Sequence, residues 1–402
     1  MAPTKDNESL ISWMRYLLII AGFWTDPIGT HYITQKTFKL YSLFMRSSCF
    51  VWWVLLVGEF ARLVILHYDI AIITQSFGVV VNASKLMMKV VIYWRNKTLQ
   101  MIKDIAANEQ KVWASGDDEI FSLYRRHIGL LKYYIVAMVF ATFMVVFLLQ
   151  GVGAIQYLEI RNHNILFNET VESHSMYLTL IPRNKQDHPV FLLTSQFLWG
   201  FLGLTFNSIT HLLFATLLVY CRIQLITLQI KSRKLFGGDE DKALLELDDK
   251  GQVQALKQLI RDHQYIIRFV EDLNNRVKYI IMMEFILSSL DFASVLVTIV
   301  GTDAKTFCWL AIFMVLLGIQ LYLLSWNSNE VKIQSEAIGD ALFESQWYLL
   351  SKEGKQMIQL MIFRSQKPLQ MTIGPFGPMT TSSVVWILKT AYSYATLLQS
   401  AE

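Results

Sequence analysis

Near its end the chain carries Lys389, Ser393, Thr396 and Ser400, spaced four, three and four apart within an otherwise apolar run. Residues three and four apart share one face of an α-helix, so these side chains form a single polar stripe. Tyr394 and Leu397 lie beside it, and Ile387, Leu388, Ala391, Ala395 and Leu398 supply most of the remaining surface. Such a stripe has two uses: small hydroxyls can join helices within lipid, or they can line a water-filled path for ions. A lysine deep in a helix calls for water or an anion, and the preceding GPFGP, residues 374–378, breaks the backbone twice, as a hinge does. Both features weigh toward the ion path. A snorkelling lysine and prolines that merely end the previous helix would serve the first use.

Three carboxylates raise the same question. Glu59, Glu284 and Asp291 fall within or near apolar runs, where a charge is costly and is either paired or part of ion passage. Glu59 stands one helical step from Arg62, and the other two sit near the inner half of a span that continues into water. Structural pairing or a solvated end is the leading reading.

The elements that position these groups follow from composition. Of 402 residues 53% are hydrophobic and 17% charged, too apolar for a soluble domain of this length. Apolar runs at 43–66, 71–93, 130–157, 191–221, 279–300, 308–327 and 378–400 are long enough to cross a bilayer, or nearly so. The expected fold is all-α, a seven-transmembrane helical bundle. With the N-terminus inside, the inner segments hold 27 Lys and Arg and the outer loops 4, so the positive-inside rule predicts an intracellular N-terminus and an extracellular C-terminus. Asn168, in the sequon Asn168-Glu169-Thr170 of the long outer loop, is then the usable glycosylation site. Residues 16–24 are too short to span and read as an interfacial segment.

Apolar residues recur at helical spacing from Val253 to Val277, so the fifth span is expected to continue into the cytoplasm as an amphipathic helix. A similar stripe from Ile333 to Leu350 and from Met357 to Phe363 predicts two shorter helices before Pro368. Such stripes bury against their own chain or form a platform where subunits meet. Between them, FGGDEDKALLELDDKG, residues 236–251, reads as a mobile acidic loop.

Much chemistry is absent. There is no G-x-S-x-G, H-E-x-x-H, C-x-x-C, P-loop or G-x-G-x-x-G pattern, and the eight histidines do not cluster at ligand spacing. Cys49, Cys221 and Cys308 are far apart and odd in number, so no disulfide framework is expected. The net charge of +4 follows the membrane topology rather than a nucleic-acid surface. The chain is expected to be no enzyme, with no cofactor, no metal and no nucleic-acid partner.

The run LMIFRSQKPLQMTIGPFGPMTTSSVVWILKTAYSYATLLQ, residues 360–399, resembles the C-terminal signature of insect odorant receptors, with its R-x-x-K-P-L segment, following glycine and I-L-K-x-A-Y-S-Y ending. DHQYIIRFVEDLN ahead of the fifth span, SEAIGDALFESQWYLL after the sixth and LLIIAGFW before Asp26-Pro27 are similar to the same family. The resemblance runs the length of the chain, and its motifs are specific in the last third. It implies a ligand-gated, nonselective cation channel of four subunits around one pore, lined by the seventh span of each. By that likeness Leu397 is the hydrophobic gate, with Ser393 and Ser400 on the same lining. It divides the chain into 1–40, a cytoplasmic segment with an interfacial helix; 41–221, spans one to four and the odorant-binding bundle; 222–278, a cytoplasmic loop and helix; 279–327, spans five and six; 328–377, cytoplasmic anchor helices; and 378–402, the pore-lining span.

The family's co-receptor carries a large insertion between the fourth and fifth spans, and this chain does not. It is therefore expected to be a tuning subunit that assembles with the co-receptor in the plasma membrane, by resemblance on the dendrites of olfactory neurons. Its partners are a small volatile, the bilayer and permeating cations. The resemblance places the odorant in the outer half of the bundle among the second, third, fourth and sixth spans. Residues expected at that depth are Ile73 and Phe77; Met144, Phe147, Leu148, Gln150 and Gly151; Phe197, Gly200, Gly203, Leu204 and Asn207; and Phe313 and Leu316. They suit a compact apolar volatile held by dispersion and shape, with Gln150 or Asn207 as the hydrogen-bonding group. A G-protein-coupled receptor is the alternative, against the charge count and without D-R-Y or N-P-x-x-Y motifs. A gustatory-type homomeric channel is another, against the missing T-Y-x5-Q-F ending.

Overall fold

The computed structural model describes residues 9–24, 32–95, 98–168, 189–236, 248–299 and 304–400. They form α1 (Ser12–Ile20), α2 (Tyr32–Ile65), α3 (Ile70–Arg95), α4 (Thr98–Trp113), α5 (Asp118–Phe167), α6 (Pro189–Phe236), α7 (Asp249–Ile299), α8 (Ala304–Phe343), a 3-10 turn at Trp347–Leu349, α9 (Lys352–Ser365) and α10 (Thr381–Ser400). Among the described residues the only β pairing is a single bridge between Thr372 and Pro378.

Six helices, α2, α3, α5, α6, α7 and α8, are long and apolar enough to cross a membrane. The seventh, α10, has 20 residues and is not among those six, its apolar run being interrupted by hydroxyls and Lys389. The helices run well past the expected spans: α5, α6 and α7 have 50, 48 and 51 residues. At a rise of about 1.5 Å per residue each is more than twice as long as a hydrocarbon core of roughly 30 Å, so each projects into water. The fifth span continues as expected, with Leu256, Leu259, Ile266, Phe269, Val270, Leu273 and Val277 all buried.

The expectation of two short helices after the sixth span is corrected. Residues 333–342 continue α8 without a break to Phe343, and the second helix is α9, begun by Ser351, whose Oγ accepts from Gly354 N at 3.3 Å. α4 had no counterpart in the sequence reading; its Met101, Ile102 and Ile105 are buried. Residues 237–247, most of the acidic loop, lie outside the described residues.

α6 is the centre of the bundle, buried on several faces from Phe206 to Ile230, whereas α5 exposes Val136, Phe140, Phe143 and Phe147 on its outer side. Apolar side chains facing outward are what a bilayer as solvent permits. Asp117 caps α5 by accepting from Glu119 N and Ile120 N at 3.0 and 3.2 Å, and two acidic residues follow in the first turn, where the helix dipole favours them. The segment read as interfacial is α1, which buries Met14 and Leu18 while Tyr16 and Ile20 face outward. It is pinned to α4, because Ser9 Oγ and Leu10 N both donate to the Glu109 carboxylate at 2.8 and 2.9 Å. Burial pushes the Glu109 carboxyl up from its ordinary range despite those two donors.

Candidate functional site

A cavity of about 270 Å³ opens where α3, α5, α6 and α8 meet. Its α5 wall is the face Tyr134, Ala137, Met138, Ala141, Thr142 and Val145, spaced at three and four residues as one side of a helix requires. Leu204, Asn207 and Ser208 come from α6, Asn82 from α3, and Phe313, Leu316, Leu317, Gln320 and Leu323 from α8. The hydroxyls of Thr142 and Ser208 bond across the α5–α6 seam. The volume is near the low end for small-molecule sites, and the lining is mainly aliphatic with a few convergent polar groups.

Beside the cavity lies a buried cluster of ionic side chains joining α3, α6 and α7. Lys89 Nζ stands 2.7 Å from Glu284 Oε2 and 2.7 Å from His211 Nε2. Lys85 Nζ stands 3.1 Å from Asp291 Oδ2 and 3.4 Å from Ser288 Oγ. All four charged side chains are at most 5% exposed, and two ammoniums face two carboxylates, so the cluster is neutral as a whole. The third carboxylate, Glu59, is also buried and receives Arg62 through two bonds of 2.9 and 3.1 Å. The three carboxylates are thus paired, as the leading reading held. The cluster also touches the cavity, because Asn82 Nδ2 donates to Asp291 at 3.1 Å and Lys89 Nζ donates to Asn207 Oδ1 at 3.3 Å.

The last helix buries Val384, Ile387, Ala391 and Ala395 against α7 and α8. Lys389, Ser393 and Thr396 stand on the opposite, exposed side, as the roughly 100° turn per residue dictates. The stripe read from the sequence therefore faces away from its own bundle. Ser393 and Thr396 return their hydroxyls to the helix, donating to Lys389 O and Ser393 O at 3.0 and 2.9 Å. Leu397 and Tyr394 are 65% and 42% exposed. Ser400 ends the helix, and its side chain lies outside the described residues.

The segment before α10 is tied down on two helices. Ile373 N bonds Gly377 O and Met379 N bonds Met371 O, both at 2.8 Å. Gly374 N donates to Lys278 O of α7 at 3.1 Å, and Ser328 Oγ of α8 donates to Met379 O at 2.9 Å. Gly374 has φ +53°, and a Cβ there would lie 2.8 Å from Met282 Sδ. Gly374→Ala is expected to cost about 1–2 kcal/mol for the left-handed backbone, with the methionine yielding to the new methyl. A lowered unfolding temperature of the purified chain checks it, and an unchanged one would contradict this account of the loop.

Of the residues expected to hold a ligand, the structure gathers Leu204, Asn207, Phe313 and Leu316 around the cavity. The others stand elsewhere. Met144, Phe147 and Phe197 are exposed, and Ile73, Leu148 and Gly151 are half-buried outside its walls. Phe77 meets Phe60, with ring centroids 5.9 Å apart. Gly200 is buried, and Gly203 is packed against the Trp52 ring. Gln150 donates to Gln196 O at 3.0 Å. Along α3 and α6 the cavity lies closer to the C-terminal end of the helix than the expected residues and along α5 closer to the N-terminal end, while on α8 it begins at the expected Phe313 and Leu316 and runs on to Leu323. The missed residues Asn82, Tyr134, Thr142, Ser208 and Gln320 are polar groups on helical faces directed inward, and that pattern was available on α5. Asn168 is the exposed left-handed cap ending α5, while Glu169 and Thr170 of its sequon lie outside the described residues. Cys49, Cys221 and Cys308 are free thiols.

A family model described as 7tm Odorant receptor matches residues 69–392. Odorant receptor 10 of Aedes albopictus is 31% identical over 191 residues, 46% of this chain and 48% of that protein. Odorant receptor Or2 of Anopheles gambiae is 28% identical over 145 residues, 36% of this chain and 38% of that protein. The match thus spans about half or less of the length of these curated relatives. The insect olfactory receptor OR5 from Machilis hrabei superposes with a TM-score of 0.77 at 15% identity, covering 98% of both chains. Its complex with eugenol gives 0.76 at the same identity, covering 99% of this chain and 100% of that one. At this identity the likeness concerns the fold.

Proposed function

Because the chain belongs to the 7tm odorant receptor family, a family of receptors rather than enzymes, we propose that it is the odorant-binding tuning subunit of an odorant-gated, nonselective cation channel. In this reading it assembles with a co-receptor subunit into a heterotetramer of the plasma membrane, on olfactory dendrites, with its N-terminus in the cytoplasm and its C-terminus outside.

The observation that carries the reading is the position of α7 between the cavity and the last helix. Both cavity asparagines reach α7 through the buried charges, Asn82 by way of Asp291 and Asn207 by way of Lys89 and Glu284. α7 in turn packs along α10. A ligand among α3, α5, α6 and α8 shifts these contacts, α7 transmits the shift, and α10 moves Leu397 so that the pore wets. Micromolar binding is worth roughly 8 kcal/mol, of which only the part that differs between closed and open states moves the gate. A bias of a few kcal/mol is within that range. In this reading α10 pivots near Gly374 to Pro378, where the backbone breaks, and the bonds of residues 371–379 to Lys278 of α7 and Ser328 of α8 couple that pivot to both helices. Exposed Leu349, Leu360 and Phe363 around α9 support a surface where subunits meet.

The test is whole-cell current from the chain alone and with a co-receptor, under perfused volatiles and G-protein block. A rapid cation current that requires the co-receptor is expected. Current from the chain alone would mean a self-sufficient homomer, and a response lost under the block would overturn the channel reading.

A further inference from the structure

The cavity walls carry three side-chain amides, and they are not equivalent. Asn82 and Asn207 are held by the buried charges, one donating to Asp291 and the other accepting from Lys89. Gln320, one turn beyond Leu316 on α8, is 9% exposed and lines the cavity, and its amide has no hydrogen-bond partner among the described residues. The amide opens onto the cavity, so its partner comes from whatever fills that space, water or ligand, and an apolar occupant would leave it unbonded. The walls around it are aliphatic, with Leu316, Leu317, Leu323 and Val145.

We infer that the cavity takes an oxygenated volatile, a compact hydrocarbon body bearing one hydroxyl or carbonyl oxygen, and that Gln320 is the residue that selects it. This inference rests on the reading of the cavity as the odorant site. A carbonyl accepts from the Gln320 Nε2 hydrogens, and a hydroxyl can in addition donate to Oε1. A hydrocarbon of the same shape displaces any water from the amide and leaves it unbonded. Ammonium and carboxylate ligands are disfavoured, because the nearby charges Lys85, Lys89, Glu284 and Asp291 already neutralise one another and a further buried charge would lack a partner.

The test uses the full chain in lipid nanodiscs and matched pairs that differ at the oxygen: cyclohexanone with methylenecyclohexane, benzyl alcohol with ethylbenzene, and longer pairs of up to ten heavy atoms. The wild type is expected to bind the oxygenated member about 10- to 100-fold more tightly. Gln320→Leu, close in volume, is expected to weaken that member about 10-fold while binding of the hydrocarbon holds or improves. Gln320→Asn, which keeps the amide, is expected to retain the preference in reduced form and guards against a folding defect in the leucine variant. A preference that survives Gln320→Leu, or equal binding of both members by the wild type, overturns the inference and leaves the odorant site standing. Failure of every member to bind overturns the odorant site, and the inference with it.

Discussion

Glu284→Ala is expected to remove most of the folded protein from the cell surface. The carboxylate is 4% exposed and faces Lys89 at 2.7 Å, with His211 on its other side at 3.5 Å. Removing it leaves an ammonium buried without its counter-charge, a change that costs about 3–5 kcal/mol. Native proteins stand only about 5–15 kcal/mol above unfolding, so this is a large share of the total. Glu284→Gln, which keeps the shape and one acceptor, is expected to fall between alanine and wild type. The double variant Lys89→Met with Glu284→Leu removes both charges and is expected to recover part of the loss, since the penalty comes mainly from the charge left behind. Surface labelling and thermal unfolding of the solubilised chain measure all three. Wild-type stability of the alanine variant would show that Lys89 finds other partners and that the Lys89–Glu284 pair is not the buried junction described above.

The second large effect is expected at Leu397. Its side chain is 65% exposed on a helix whose opposite face is buried, which is where a residue meeting its symmetry-related neighbours must stand. A hydrophobic constriction closes by excluding water, and each leucine that loses its apolar contacts surrenders roughly 1.5–3 kcal/mol of burial. Leu397→Ala is therefore expected to raise basal cation leak about tenfold or more for each copy altered, because about 1.4 kcal/mol is a factor of ten in an equilibrium. Leu397→Asn is expected to leak further, since its amide holds water. Basal current and odorant response, normalised to surface protein, give the measure. Unchanged values for Leu397→Ala would falsify the assignment of this residue as the gate.

The two variants probe different links. The Glu284 change acts on assembly of the bundle, and the Leu397 change leaves the folded protomer almost untouched, because its side chain contributes little to the core. A channel that reaches the surface yet leaks is the signature of the second and not of the first. Gln320→Leu differs from both, as it is expected to alter which volatile binds without opening the pore.

The sequence by itself determined what is local or periodic. Apolar run length identified the membrane helices, because crossing hydrocarbon requires about 20 residues whatever the neighbours are. The stripe of Lys389, Ser393, Thr396 and Ser400 was legible because helical geometry alone puts those spacings on one face. Glu59 could be joined to Arg62 because they are three apart. The structure alone decided what depends on pairs distant in the chain. Lys89 and Glu284, or Lys85 and Asp291, carry no local signal of their meeting, and nothing at Gln320 marks it as the uncommitted amide of a cavity. The position of that cavity along α5 and α6 was not legible for a related reason. Helices of 48 to 51 residues overrun the bilayer, so the ends of the apolar runs do not mark where the packed helices part to leave a space. The direction of the polar stripe was also open until α10 was seen to bury its small apolar residues, which turns the hydroxyls away from the protomer. Periodicity says which residues share a face, and only packing says what that face meets.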